Sequence, residues 1–301
     1  LSESKTKPKK QKLMPLFGLG IALAVVGFYF AFEGGGEVGE SATREVASAS
    51  AQKMPELERE GTLSFMVEPG ESSWRTSLEQ TQTAGVGAEL SSSSTKISMV
   101  VDQTPSTQGK YVRAYRDVAV EAVSAEQPVP ADLLSQIAQL VETVKHQLTI
   151  DSNGKVSNIE LLSTPSGELS QFLGIITDAS YYLSPHFPRE AVNVDEAWNY
   201  TIPIEARDAS GKVISGEVQV TMTFRGYVAG TDKRVAYVDQ NLTGKAKGSG
   251  YEGHGIGKGE FWVDLDAKRV NRARVNYEQV GVSPGGQSIQ SKVVMTKDPL
   301  E

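Results

Sequence analysis

Beyond residue 60 one pattern recurs about a dozen times: a short run of alternating apolar and polar residues, closed by a turn rich in Gly, Pro, Asp, Asn or Ser. Alternation puts every apolar side chain of a strand on one face, and a short turn can join only antiparallel neighbours. Residues 147–150 and 156–162 flank DSNGK, and 198–207 and 213–225 flank DASGK; both read as hairpins. Residues 62–68 (TLSFMVE) and 74–82 flank PGESS, and 96–102 and 111–121 flank QTPSTQGK. Further strands are expected at 235–243, 259–266, 270–280 and 288–296, while Ser91–Ser94 reads as a mobile loop.

Two stretches carry the helical period instead. Residues 132–146 place Leu133, Leu134, Ile137, Leu140, Val141 and Val144 on one face, after Pro130 and Asp132, with His146 at the helix C-terminus. Residues 168–183 align Leu169, Phe172, Leu173, Ile176 and Leu183. Each helix has one apolar stripe and must bury it, most simply on the concave face of the sheet. The expected fold is therefore mainly β (α+β): a curved antiparallel sheet or open barrel with two amphipathic helices packed on it. Residues 60–301 form this β-rich domain, with 60–147 and 148–301 as its two candidate halves.

Ahead of this domain, residues 13–32 (LMPLFGLGIALAVVGFYFAF) are uncharged and end at Glu33. Twenty helical residues rise about 30 Å, the thickness of a bilayer core. Aromatic residues gather at the distal end, and five lysines precede the run, giving residues 1–13 a charge of +4. The positive-inside rule keeps that basic tail (1–12) in the cytoplasm. The expectation is a single-pass anchor in the cytoplasmic membrane with the C-terminal domain in the periplasm or outside the cell. A cleaved signal peptide is the alternative, but this apolar run is longer than a usual h-region and no A-x-A precedes a plausible cut. Residues 33–59, rich in Gly, Ser, Ala and Glu, read as a flexible tether.

Charge and composition exclude several functions. Of the net −7, the basic tail accounts for +4, so the rest of the chain carries −11 and would repel phosphate backbones; a nucleic-acid partner is not expected. Cysteine is absent, which removes disulfides, thiolate metal sites and cysteine nucleophiles. The run Gly248–Gly259 fits neither G-x-x-x-x-G-K-[ST] nor a G-x-G-x-x-G that opens a helix. Its alternating glycines lead into EFWVDLD, a strand, and clear one face for a bulky neighbour. His146, His186 and His254 lie far apart, and neither a metal-ligand spacing nor a nucleophile elbow occurs. Catalytic, cofactor-binding and metal residues are therefore assigned to none.

Two short motifs carry a family resemblance. The first is Pro188, Val192, Val194, Asp195 and Trp198; the second is Gly257, Gly259, Phe261, Val263 and Asp264. They are similar to the P-x-x-x-V-x-V-G-D-x-W and G-x-G-x-F-x-F-D motifs of DUF6263, an uncharacterised bacterial family of exported proteins, with Asp195-Glu196 where that family favours Gly-Asp. The resemblance covers residues 184–266 and implies an exported β-rich fold without an assigned activity. At the level of fold alone, a sheet carrying helices on its concave side resembles the lipoprotein-carrier (LolA/LppX-like) proteins.

The resulting functional expectation is a membrane-anchored, non-enzymatic structural or interaction module with a protein partner in the envelope. The alternative is a carrier of lipid or another apolar ligand, held between sheet and helices by a face comprising Ile137, Leu140, Val144, Phe172 and Ile176. Tyr181, Tyr182, Trp198, Phe224 and Trp262 are further candidates for that lining. An envelope hydrolase ranks last.

Overall fold

The computed structural model describes residues 54–300 except 87–88, 108, 125–129, 163–175, 178, 208–212, 232–233, 249–250 and 283–287. The expected anchor, the tether up to residue 53 and Phe172 lie outside the described residues. Among the described residues no helix is long and apolar enough to cross a membrane.

The strands are β1 (Leu57–Glu58), β2 (Thr62–Leu63), β3 (Ser72–Val86), β4 (Glu89–Thr107), β5 (Lys110–Ser124), β6 (Lys145–Ile150) and β7 (Val156–Leu161). They continue with β8 (Val192–Asn193), β9 (Ala197–Arg207), β10 (Val213–Val228), β11 (Val235–Gly248), β12 (Tyr251–Asp264), β13 (Arg269–Val282) and β14 (Ser288–Pro299). One helix, α1 (Ala131–Thr143), connects β5 to β6. Twelve strands form one open antiparallel sheet in the order β1-β10-β11-β12-β13-β14-β3-β4-β5-β6-β7, with β9 also on β10; β2 and β8 form a separate pair. Residues 60–147 and 148–301 thus share a sheet: β6 straddles the junction, and β14 zips onto β3 along its length, from Ser288↔Gly85 to Pro299↔Trp74.

The period-2 pattern has its physical consequence here. Inward residues such as Leu78, Met99, Val218, Val238, Phe261, Val275 and Met295 make one apolar cluster, against which Ile137 and Val141 of α1 and Ile176 and Tyr182 pack. Residues 176–177 and 179–182 are helical and form the second helix element on this face. The alternating glycines do clear space for a bulky neighbour, and that neighbour is Tyr277 on the next strand. A Cβ at Gly255 would lie 2.0 Å from its hydroxyl, and one at Gly244 2.1 Å.

Several sequence expectations need correction. The strand expected to begin at Gly259 starts at Tyr251, because glycine pairs along a ladder as long as its neighbours supply partners. Residues 62–68 do not pair with β3. Only Thr62 and Leu63 are strand, on β8, and Leu63 and Phe65 are buried in the core. Here alternation marks a segment crossing the open face of the sheet and dropping every second side chain into it, while Pro69-Gly70 prevents a ladder. Ser91–Ser94 is not a loop but part of β4, paired with β3. Thr81 and Thr83 donate to the hydroxyls of Ser94 and Ser92 at 3.1 and 3.4 Å, so hydroxyl pairs do the work of apolar ones.

Helix α1 stops at Thr143, three residues short of expectation. Val144 is extended, and His146 lies on β6, paired with Arg113. The helical stripe and the alternation of His146, Leu148 and Ile150 overlap at this point, and the ladder with β5 wins the tie. Leu140, expected on the packing face, is 40% exposed. The contact centres on Ile137 and Val141, with Leu133 and Leu134 half-buried beside them.

Candidate functional site

The turn of the β6–β7 hairpin builds the site. Asp151 Oδ1 accepts from the amides of Asn153 and Lys155 at 2.9 and 3.0 Å, closing an Asx turn in which Gly154 takes φ 83°. The turn then holds two other segments. Val67 donates its amide to Ser152 O at 2.8 Å, fixing the approach to β3. Asn153 exchanges two bonds with Phe187, donating its side-chain amide to Phe187 O (3.1 Å) and accepting from Phe187 N (2.8 Å). Phe65 and Phe187 meet edge to face at 4.7 Å under this junction.

Between these segments, the ends of β3, β5 and β14 and the β12–β13 turn lies a cavity of about 220 Å³. Val67, Ile150, Phe187 and Val270 form its apolar side. Its other side is cationic. Arg113 is buried, and its guanidinium carbon lies 5.1 Å from the centroid of the Trp74 ring. The Lys297 ammonium lies 4.2 Å from the same centroid. Arg269 stands exposed on the rim. Trp74 is itself buried and spends its indole N–H on Thr76 Oγ1 at 3.0 Å, so only its π faces meet the cations.

Buried cations are ordinarily matched by carboxylates. Here Arg113 Nε donates to the neutral Gln103 Oε1 at 3.0 Å, and Gln103 in turn donates to Gly70 O. Among the described residues neither Arg113 nor Lys297 has an ion pair, whereas the more exposed Arg59, Arg116, Arg225, Lys268 and Arg272 all do. Glu68 and Glu71 line the rim but are exposed, and Glu68 pairs with Lys268. Burial, then the charges of Arg113 and Arg269, push Lys297 down to about 7. Burial alone lowers Arg113 to about 10, which leaves it protonated at neutral pH.

Behind this wall a narrow gap of about 20 Å³ opens toward Met99, Val101, Tyr115, Ile176 and Ala179, sharing Trp74, Arg113, Leu183, Ser184 and Lys297 with the cavity. Nearby, His146 bonds Tyr115 Oη (3.0 Å) and Thr177 Oγ1 (3.3 Å) through its two ring nitrogens; burial and Arg113 push it down to about 4.

The apolar face expected from sequence is not the lining of this cavity. Ile137 is buried in the general core, Val144 is buried at the helix end, and Leu140 faces outward. Ile176 alone reaches the gap behind the cationic wall. Tyr182 and Phe224 are core residues, and Tyr181 packs against that core from its margin. Trp198 donates to His186 O at 2.7 Å and packs on Phe187, while Trp262 meets Tyr237 edge to face under Arg272 and is not part of that core. The residues missed in sequence are Trp74, Arg113, Arg269 and Lys297. Arg113 and Lys297 occupy inward positions of otherwise apolar alternation, which was the available signal. Among the described residues no group of three His, Asp or Glu could hold a metal.

No family model matches the chain, so the DUF6263 resemblance stands on its two motifs alone. No curated protein matches it either. Among solved structures, a lipovitellin studied for its lipid–protein interactions is 11% identical with a TM-score of 0.42, over 78% of this chain and 26% of that one. The chain thus spans about a quarter of that protein's length. A protein of unknown function from the DUF3598 family of Nostoc punctiforme is 10% identical with a TM-score of 0.12, over 75% of this chain and 95% of that one. Neither likeness is close enough to carry an argument about ligand or fold.

Proposed function

We propose that the protein is a membrane-tethered, non-enzymatic binding module whose β domain stands outside the cytoplasm and receives a small ligand in the cavity at the Asn153–Phe187 junction. One observation carries this reading: an open space into which Arg113 and Lys297 converge from two strands onto one indole, neither in an ion pair among the described residues. The anchor is supported by the uncharged run 13–32 behind a basic tail, and the tether by residues 33–59. Native mass spectrometry of the full-length chain, purified from its host membrane in a neutral detergent, tests the proposal. A bound non-protein mass is expected. Gly70→Phe should remove it, because Gly70 lines the cavity and has open space around its Cβ position. A mass retained by Gly70→Phe, or no mass at all, would sink the reading.

A second reading, contact with a protein partner in the envelope, is favoured by β7, an edge strand that exposes Leu161 next to exposed Leu162. Cross-linking from Glu160→Cys in the native membrane checks it: a single specific adduct is expected, and a smear of adducts would count against it.

A further inference from the structure

Resting on the ligand-binding reading above, we infer that the ligand presents an oxyanion, a carboxylate or phosphate group, which Lys297 and Arg113 receive beside the face of Trp74. The cavity holds two cations against one indole, and the indole cannot neutralise either; it only makes each tolerable. Gln103 supplies a hydrogen bond to Arg113 where a carboxylate would have supplied charge. That choice preserves the positive potential of the cavity, and a guanidinium beside an ammonium is a donor set suited to oxyanions. Exposed Arg269 extends this potential to the mouth, on a domain that is otherwise acidic. Asn271 and Ser72, also on the lining, add neutral polar groups beside the cations.

Such a group could be a free anion or the head of an amphiphile. The apolar side of the cavity and the gap toward Met99, Val101 and Ile176 bear on that choice. Isothermal titration calorimetry of the full-length chain in a neutral maltoside detergent, with inorganic phosphate and with hexyl phosphate, separates the two. Stoichiometric binding of at least one is expected. Lys297→Met should weaken it by roughly tenfold or more, the loss of one charge-assisted contact, and Lys297→Arg should retain it. Arg269→Gln, at an exposed position on the rim, should weaken binding less and reduce its salt dependence. Tighter binding of hexyl phosphate identifies an amphiphile head, and equal binding identifies a free anion. The inference fails if neither probe binds wild type, or if Lys297→Met binds as well as wild type. If a ligand mass were still displaced by Gly70→Phe in that case, the cavity would remain a binding site, but for a ligand of another charge.

Discussion

The Lys297 ammonium lies 4.2 Å from the centroid of the Trp74 ring, at the inner end of the last strand, and no described carboxylate pairs with it. This arrangement costs the unliganded fold stability. A charge held in a partly buried site against another cation is worth less there than in water, and its retention suits a residue kept for binding rather than folding. Lys297→Met keeps the stem and removes the charge, so the unliganded variant should be more stable than wild type by about 1 kcal/mol. Urea denaturation midpoints check this, and a variant less stable than wild type would show that the ammonium holds the fold together.

The same lysine gives a pH signature. Its value falls from 10.5 in the unfolded chain to about 7 in the folded one, so folding expels a proton. The penalty is present in full below about pH 7 and is relieved as pH rises toward 10.5, so this group makes stability increase with pH across that window. Arg113, Arg269 and the exposed Glu68 and Glu71 line the same cavity, and Arg113, lowered to about 10 by burial, begins to lose its charge only near the top of that window. Anion binding has the opposite slope, because it needs the protonated amine; affinity should weaken as pH rises above about 7. Stability and phosphate affinity measured between pH 6 and 9, as differences between wild type and Lys297→Met, isolate both slopes.

His146 titrates the fold on the acid side. It is buried between Tyr115 and Thr177, and its value is pushed down to about 4 by burial and Arg113. The unfolded chain binds this proton near 6.5 and the folded chain only near 4, so stability is complete above 6.5 and falls as pH drops through the interval. The full loss is of the order of 3 kcal/mol. His146→Gln, which keeps a donor and an acceptor but does not titrate, should flatten the stability curve between pH 6.5 and 4. An unchanged curve would assign acid sensitivity to other groups.

Most of the sheet was legible because alternation and turn chemistry agree. The hairpins around DSNGK and DASGK, and the glycine stripe, each have a local cause that a sequence displays. The failures share one form: two local readings tied and a distant partner decided. Val144 fits a helix or a strand until β5 offers Arg113 a neighbour at His146. Ser91–Ser94 looks like loop until Thr81 and Thr83 lie opposite. The cavity was illegible for the same reason. Arg113 and Lys297 are 184 positions apart and become neighbours of one indole only because β14 returns to β3.

The slot for Tyr277 makes the glycine stripe testable. Its buried ring occupies the space where Gly244 and Gly255, paired across β11 and β12, have no side chains. Gly255→Ala would place a methyl 2.0 Å from the hydroxyl and 2.3 Å from Cζ, so the ring must move into a packed core. Overpacking of this kind costs about 1–3 kcal/mol. Removing the hydroxyl alone, in Tyr277→Phe, should recover part of that loss when combined with Gly255→Ala, but the Cζ contact would persist. Gly230→Ala is the control on the same type of residue, since it has open space but a φ of 68°, and any loss there is backbone strain without overpacking. Denaturation midpoints of the four variants separate the terms: the double variant should fall between wild type and Gly255→Ala. If it is no more stable than Gly255→Ala, the loss comes from the ring carbons, Cζ above all, and the hydroxyl contributes nothing to it.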